Sequence, residues 1–298
     1  MGIAGHWRMK KIYLEKYLET EYKPTDIPDK IIGEFVDYEC EVYSPNGELI
    51  VKYMKAPKEI LDIARYFSVN TKATKSSRTR RGLPQMSSVF GVMPRNPIRE
   101  DYCRFSKKCS EEKELYKYVL KYNELVSELY KTILPVHYKK AIEDVKSQVH
   151  SDYLVVDTPW SNVNVNLNQV IKYHKDSGNN KNDLSNVLIV RSGVSGGHLV
   201  CPELGVTLSQ GDGWMTFFRG QDILHGVMPC KFANDNSYRS SIVNYTMTQL
   251  KNCYPYEDEM ERLKEVKTRQ ARDRKVSLGK LKAQLERKKE KIKGLNNG

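Results

Sequence analysis

The sequence predicts an α+β protein with a mostly β core, a sandwich or closed barrel supported by helices. Residues 152–250 contain seven or more short apolar runs separated by Gly, Pro and Asn turns, a pattern typical of sandwiches and barrels. Residues 110–149 instead repeat apolar side chains every three or four positions. That period indicates amphipathic helices, which we expect to cover one sheet.

Length and composition favour an intracellular protein. The chain has 298 residues, enough for one large or two small domains. It contains no run of about 18 apolar residues, so no membrane span is expected. Residues 1–11 lack the apolar region of a secretion signal. We therefore expect the protein in the nucleus or, for a phage or bacterial protein, in the cytoplasm.

The six cysteines show no C-x-x-C spacing. A zinc finger or a disulfide framework is therefore not expected. Reduced thiols are the ordinary state inside cells, and the sequence predicts them here.

Positive charge is concentrated in the last segment. The net charge is +12, and residues 261–298 hold 14 Lys and Arg against 5 Asp and Glu. A second basic and glycine-containing segment spans residues 70–99. Basic segments attract polyanions, of which nucleic acid is the commonest in cells. The alternatives are a solvated tail and an exposed linker.

Three segments follow from these patterns. Residues 1–69 are predicted as an N-terminal extension with a helix around Leu14–Leu18, a hairpin at Val42–Val51 and a second helix at Pro57–Phe67. Residues 70–255 form the barrel with its helical support. Residues 256–298 form a basic helix, whose heptad-like leucines predict either a short coiled-coil dimer or a helix lying along a phosphate backbone.

Three residues have the spacing of a metal site. His174 and Asp176 are two positions apart, and residues i and i+2 of a strand point to the same face. His225 follows 49 positions after Asp176. Together they match the 2-His-1-carboxylate triad, which leaves open coordination positions on Fe(II).

A buried cation follows the triad. Arg239 precedes the apolar run Ile242–Val243 and is therefore predicted on a core strand. The usual occupant of two open positions on such an iron is 2-oxoglutarate, whose distal carboxylate an Arg binds with both branches of its fork. Ser241 faces the same side as Arg239 and offers a second hydrogen bond.

Other readings stay open at this stage. His198 is a rival metal ligand, preceded by Gly196-Gly197. A barrel without metal that only binds nucleic acid is a second class of function. A hydroxylase acting on proteins is a third.

The motifs resemble the Fe(II)/2-oxoglutarate dioxygenases, in particular the TET/JBP branch that oxidises DNA bases. The resemblance covers residues 70–250 and rests on these segments: His174–Asn179, Gly196–Glu203, Gly211–Gly213, Asp222–Val227, Tyr238–Val243 and the upstream Ser76–Gly82. It implies a double-stranded β-helix of the jelly-roll or cupin type.

The resemblance also implies roles for individual residues. His174, Asp176 and His225 would hold Fe(II), which reacts with O₂. Arg239 and Ser241 would bind 2-oxoglutarate. The residues implied near the flipped base or the DNA are Asn179, Tyr245, Met247 and either Arg80 or Arg81.

One departure bears on the substrate. Methylcytosine enzymes of this branch carry a His where this chain has Met247, and a thioether cannot donate a hydrogen bond. The resemblance as a whole implies a dioxygenase that converts 5-methylcytosine in DNA to 5-hydroxymethylcytosine or to a further oxidised base, and Met247 keeps the choice of base open. A thymine 5-methyl hydroxylase and an inactive DNA-binding barrel are the alternatives.

Overall fold

The computed structural model describes residues 9–75, 86–95, 102–155, 158–181 and 183–295. Two facing sheets form its centre. The larger sheet contains, in spatial order, β1 (Lys10–Tyr13), β3 (Cys40–Tyr43), β4 (Leu49–Lys55), β14 (Trp214–Phe218), β10 (Ser185–Ser192), β17 (Tyr238–Tyr245), β8 (Asn162–Leu167), β6 (Met86–Met93) and β5 (Thr74–Lys75), with β7 (Arg104–Phe105) paired to β6.

The smaller sheet faces it. Its order is β2 (Glu34–Val36), β13 (Val206–Leu208), β12 (Leu199–Cys201), β15 (His225–Val227) and β9 (Ile171–His174), and a separate hairpin joins β11 (Val194–Gly196) to β16 (Cys230–Phe232). The predicted mostly β core and double-stranded β-helix are thus confirmed.

Helices cover the outer face of the larger sheet. They are α1 (Lys58–Asn70), α2 (Lys107–Glu111), α3 (Lys113–Ile133) and α4 (Pro135–Gln148). A further helix, α5 (Tyr256–Leu295), lies at the end of the chain. Phe67 of α1 and Tyr122 of α3 pack with Leu188 and Ile242 of the sheet in one buried cluster. The predicted helical cover is therefore correct. None of the described helices is both long enough and apolar enough to cross a membrane.

A second cluster lies between the two sheets. Tyr53, Phe218 and Leu208 belong to it and are buried. Tyr53 stacks on Trp214 with ring centroids 4.3 Å apart. This packing fills part of the space between the sheets, and the candidate site opens beside it.

The first 69 residues contribute to both sheets. β3 and β4 form the predicted hairpin, and β4 pairs with β14 of the barrel. β2 pairs in parallel with β13. The helix predicted around Leu14–Leu18 is wrong: β1 ends at Tyr13, and the following residues have no regular structure. Residues 10–13 instead pair in parallel with β3, a long-range contact that local periodicity does not encode.

The prediction of reduced thiols is also wrong for one pair. Cys103 and Cys253 form a disulfide across 150 positions of sequence, and the other four cysteines are free. Cys103 belongs to a small apolar cluster, and Cys253 packs against the same cluster. Spacing along the chain does not reveal such a distant pair.

Candidate active site

The two histidines are brought together by strand register. β9 and β15 are antiparallel, and His174 is paired directly with His225. A bulge follows His225, where the register shifts before Val227. The two rings lie 4.3 Å apart, centroid to centroid. A pairing between strands about 50 residues apart therefore places both imidazoles at the edge of the smaller sheet.

Asp176 approaches from a turn, not from the strand predicted for it. β9 ends at His174, and the Asp176 N–H donates to the carbonyl of Gly220 at 2.9 Å. Its Oδ1 lies 3.4 Å from His174 Nε2, and its Oδ2 lies 3.8 Å from His225 Nε2. The carboxylate thus faces both rings, although the i, i+2 strand geometry expected for it is absent.

Backbone contacts orient both rings. His174 Nδ1 lies 2.9 Å from the carbonyl of Lys172, and His225 Nδ1 lies 2.9 Å from that of Ile223. An Nδ1–H donating to a carbonyl leaves Nε2 as the free ligand nitrogen. Burial, with the neighbouring His174, lowers the pKa of His225 to about 4. His225 is therefore neutral near pH 7, as a metal ligand must be.

The donor set fits one Fe(II). The three ligand atoms lie within 4.8 Å of one another, and no other group of three His, Cys, Asp or Glu among the described residues is so arranged. Two neutral nitrogens and one carboxylate on one side leave the opposite positions open. The rival His198 lies outside the cluster, with its Nδ1 2.7 Å from the carbonyl of Ser209.

A cavity of about 340 Å³ connects the triad to Arg239. Arg239 is 1% exposed, and its Nη2 donates to the Gly197 carbonyl at 3.2 Å. Its Nε and Nη1 have no hydrogen-bond partner among the described residues. Burial lowers the pKa of Arg239 to about 10, so it stays charged near pH 7. A buried charge with unused donors is costly, and a carboxylate in this cavity would use them.

Gly197 is required for this arrangement. Its φ is +69°, and a Cβ there would lie 2.9 Å from Arg239 Nε. Only glycine adopts this backbone region without strain. Gly197, the second glycine of the pair before His198, therefore makes room for the Arg239 side chain.

β17 presents one face to the cavity. Arg239, Ser241, Val243 and Tyr245 alternate along it, and all four line the cavity. The predicted partner of Arg239, Ser241, thus lies on the same face, and Tyr245 lies farther along the strand.

The remaining predicted residues fall in different places. Asn179 lines the cavity, and its Nδ2 donates to Ser185 Oγ at 3.2 Å. Met247 forms a backbone bridge to Asn179 but is absent from the cavity wall and packs against the Cys103–Cys253 cluster. Arg80 and Arg81 lie outside the described residues.

Several cavity residues were not predicted. Asn164 and Asn166 of β8 line it, and Asn164 Oδ1 has no partner among the described residues. The alternation Val163-Asn164-Val165-Asn166 was the available signal, since Val163 and Val165 face the helices. Gln210 also lines the cavity with a left-handed φ of 51°. No sequence pattern predicts that backbone conformation.

A metal-binding triad and a buried arginine in one cavity of a double-stranded β-helix define the class of 2-oxoglutarate- and iron-dependent oxygenases. The model of the Tet_JBP family, described as the oxygenase domain of the 2OGFeDO superfamily, matches residues 93–248. This span is more than half of the chain. The chain belongs to this family, and it is an oxidoreductase that uses Fe(II), 2-oxoglutarate and O₂.

Several solved structures match this chain, and the first of them shares its fold. NgTET1 in complex with 5mC DNA is 15% identical over 87% of this chain and 91% of that chain, with a TM-score of 0.61. An oxidoreductase of the 2OG-Fe(II) oxygenase family from Burkholderia pseudomallei is 11% identical over 65% and 84% of the two chains, with a TM-score of 0.40. The viral collagen prolyl hydroxylase from Paramecium Bursaria Chlorella virus-1 is 13% identical over 66% and 97%, with a TM-score of 0.34. Among curated proteins, none matches by sequence.

Proposed function

We propose that the protein oxidises the 5-methyl group of 5-methylcytosine in DNA to a hydroxymethyl group. The observation that carries this proposal is the single cavity that holds the His-Asp-His triad, Arg239 and Tyr245. In the balanced reaction, O₂ supplies one oxygen atom to the methyl group and one to 2-oxoglutarate, which leaves as succinate and CO₂.

His174, Asp176 and His225 hold the metal in this proposal. Bound Fe(II), with 2-oxoglutarate and O₂, supplies the oxidation chemistry. The Nδ1 contacts of both histidines fix the ring planes, so the ligand atoms are positioned before the metal binds. The Asp176–Gly220 backbone bond holds the carboxylate turn.

Arg239 and Ser241 orient 2-oxoglutarate. Nε and Nη1 of Arg239 have no partner among the described residues, so their N–H groups are available to the distal carboxylate. Ser241, on the same face of β17, donates a further hydrogen bond. Arg239 and Ser241 of β17 line the same cavity as the triad, so one bound cosubstrate would contact both groups.

Tyr245 and Asn179 bind the base. A methyl group in a duplex is inaccessible to an enclosed metal, so the nucleotide must rotate out of the helix. Tyr245 provides an aromatic surface for stacking. With its Nδ2 engaged by Ser185, Asn179 has its Oδ1 left to accept a hydrogen bond from an amino group.

Two comparisons support a DNA substrate. The family match covers the oxygenase domain shared by the TET and JBP enzymes. The structure with a TM-score of 0.61 is of NgTET1 bound to 5mC DNA. The net charge of +12 suits a polyanionic substrate.

Thymine is the second candidate. It is favoured by Met247, which cannot donate a hydrogen bond to cytosine and whose side chain packs away from the cavity. Thymine carries the same 5-methyl group, and the same residues would bind the metal and 2-oxoglutarate. An inactive DNA-binding barrel is disfavoured by the intact donor set.

One experiment separates these functions. The protein is incubated with Fe(II), ascorbate and 2-oxoglutarate on two duplexes of one sequence, one carrying 5-methylcytosine and one carrying only unmodified bases. The digested nucleosides are then counted by mass spectrometry. Hydroxymethylcytosine supports the first proposal and hydroxymethyluracil the second. Absence of both, with DNA still bound, would leave the inactive barrel.

A further inference from the structure

The carboxylate of Glu203 links the two chain segments that carry the metal ligands. Glu203 lies in a short 3₁₀ turn, Pro202–Leu204, that follows β12, and it is not one of the three metal ligands. β12 and β15 are antiparallel, with Val200 opposite Gly226. The residues that follow β12 therefore lie beside the residues that precede His225.

One oxygen of this carboxylate accepts a buried backbone N–H. Oε2 of Glu203 accepts the N–H of Leu224 at 2.7 Å, which is the length of a charge-assisted hydrogen bond. Leu224 is 5% exposed, and the side chain of Glu203 is 20% exposed. A buried N–H that loses its acceptor costs free energy, so this bond fixes the carboxylate and the peptide group relative to each other.

The same peptide group orients the imidazole of His225. The N–H of Leu224 and the carbonyl of Ile223 belong to one planar peptide unit. That carbonyl lies 2.9 Å from Nδ1 of His225, and it accepts the Nδ1–H that leaves Nε2 free for the metal. A hydrogen bond at the N–H also polarises the carbonyl and strengthens it as an acceptor. Glu203 therefore acts on the ligand ring through a single peptide plane.

The other oxygen reaches the segment of the first two ligands. Oε1 of Glu203 lies 2.9 Å from Nζ of Lys175, and Lys175 stands between His174 and Asp176 in the chain. The side chain of Lys175 is 42% exposed, and ion pairs that are open to water contribute little free energy. The bond to Leu224 is thus the stronger of the two connections.

We propose that Glu203 is a positioning residue for the metal site. It holds the Ile223–Leu224 peptide so that the Nδ1 contact of His225 is made before the metal binds. Its ion pair with Lys175 ties the same carboxylate to the segment of the other two ligands. This role rests on the iron site and not on the base that is oxidised, so it goes beyond the function proposed above.

The test is a titration of the full-length protein with Co(II), whose visible absorption depends on the geometry of its ligands. The variant is Glu203→Ala. We expect it to bind Co(II) about tenfold or more weakly, the typical effect of losing an outer contact of a metal ligand. We also expect its absorption spectrum at saturation to differ from that of the wild type. Wild-type affinity together with a wild-type spectrum would overturn the proposal.

Glu112→Ala is the matched control. Glu112 also accepts a backbone N–H, that of Lys72 at 3.2 Å, and it pairs with a lysine, Lys108, at 2.6 Å. Its side chain is 14% exposed and lies between α2 and α3. We expect wild-type Co(II) affinity and a wild-type spectrum from this variant, and unfolding in urea measures its stability. An equal loss of metal binding in both variants would show a general loss of stability and overturn the proposal.

Two further variants separate the contacts of Glu203. A glutamine keeps an oxygen that accepts the Leu224 N–H, so we expect Glu203→Gln to recover most of the Co(II) affinity that Glu203→Ala loses. Lys175→Met removes only the ion pair, and we expect it to bind Co(II) within about threefold of wild type. Binding by Glu203→Gln as weak as that by Glu203→Ala would contradict positioning through the peptide. Failure of base oxidation affects neither the Co(II) titration nor its interpretation.

Discussion

At the scale of single residues, Arg239 is the side chain whose surroundings most require a ligand. It is buried, charged and bonded through only one of its nitrogens, to the Gly197 carbonyl. A structural role would pair it with a carboxylate, and among the described residues the only acidic side chain that lines its cavity is the proposed metal ligand Asp176. In the proposed function, the distal carboxylate of 2-oxoglutarate uses these donors.

Replacing Arg239→Lys keeps the positive charge and removes the fork. Charge-assisted hydrogen bonds contribute about 1.5–3 kcal/mol each, so we expect the KM for 2-oxoglutarate to rise by about tenfold or more. Initial rates at varied 2-oxoglutarate measure this. The control Arg65→Lys alters a surface ion pair with Asp212 and should leave the KM unchanged. An unchanged KM in the Arg239 variant would remove Arg239 from the cosubstrate site.

Gly220 limits the space around the metal ligand. A Cβ at this position would lie 2.7 Å from Asp176 Oδ2, closer than non-bonded atoms approach. We expect Gly220→Ala to displace the carboxylate and weaken Fe(II) binding about tenfold or more, because outer contacts of metal ligands typically affect affinity by 10–100-fold. A metal titration measures it. Gly178→Ala is the control, since nothing lies within 4 Å of its added Cβ. Wild-type affinity in both variants would count against the Asp176 assignment.

The sequence was most informative at this scale. His174, Asp176, His225 and Arg239 line one cavity as predicted, because metal and carboxylate chemistry restricts residue type and order, although Asp176 reaches the cavity from a turn and not from the predicted strand. The place of Gln210 in the cavity wall could not be predicted. Its backbone is left-handed, and its N–H donates a hydrogen bond to the hydroxyl of Tyr53, which is distant in sequence.

At the scale of elements, β17 joins the active site to the helical layer. One face carries the cavity residues Arg239 and Tyr245. The other carries Ile242 in the main core and Asn244, whose Nδ2 donates to Asn123 Oδ1 of α3 at 2.8 Å. Both amides are buried. This single bond therefore connects a polar strand position to the covering helix.

Asn123→Ala removes that connection. It leaves the buried Asn244 amide without its partner, a change that costs about 1–3 kcal/mol. We expect the free energy of unfolding in urea to fall by this amount. Lys121→Ala, on the exposed side of α3, should change it by less than about 0.5 kcal/mol. Equal stability of the two variants would show that the amide pair contributes nothing.

Elements were predictable where their patterns are local. The helices α1, α3 and α4 and the strands after residue 160 follow apolar periodicity and turn residues. β1 and β2 were missed, because each pairs in parallel with a distant strand. β6 was not predicted as a strand, since its apolar run Val89–Val92 is short and lies within the basic segment of residues 70–99.

At the scale of the whole molecule, α5 divides into an anchored and an exposed part. Glu259 is fully buried, accepts the Cys103 N–H and pairs with Arg95 at 2.7 Å. Val266 is also buried. The described side chains from 267 to 284 are all exposed. The disulfide Cys103–Cys253 lies at the anchored end. It could not be predicted from the sequence, because 150 positions separate its cysteines. The coiled-coil dimer stays a prediction.

Removing residues 268–298 tests the role of the exposed part. The deletion removes 11 Lys and Arg and 3 Asp and Glu but retains Glu259 and Val266. We expect weaker DNA binding with a smaller salt dependence, because fewer counterions are released. Fluorescence anisotropy at several salt concentrations measures both. The unfolding midpoint should stay at the wild-type value, and an unchanged affinity would show that α5 is only a solvated tail.

The central claim is that this cavity couples 2-oxoglutarate turnover to oxidation of a DNA methyl group. The most direct test measures succinate and hydroxymethylcytosine in one reaction on 5-methylcytosine DNA. We predict about one succinate per methyl group oxidised, at a rate that depends on the methylated DNA, and no product from His174→Ala. Succinate formed equally with and without methylated DNA, with no oxidised cytosine, would contradict the account.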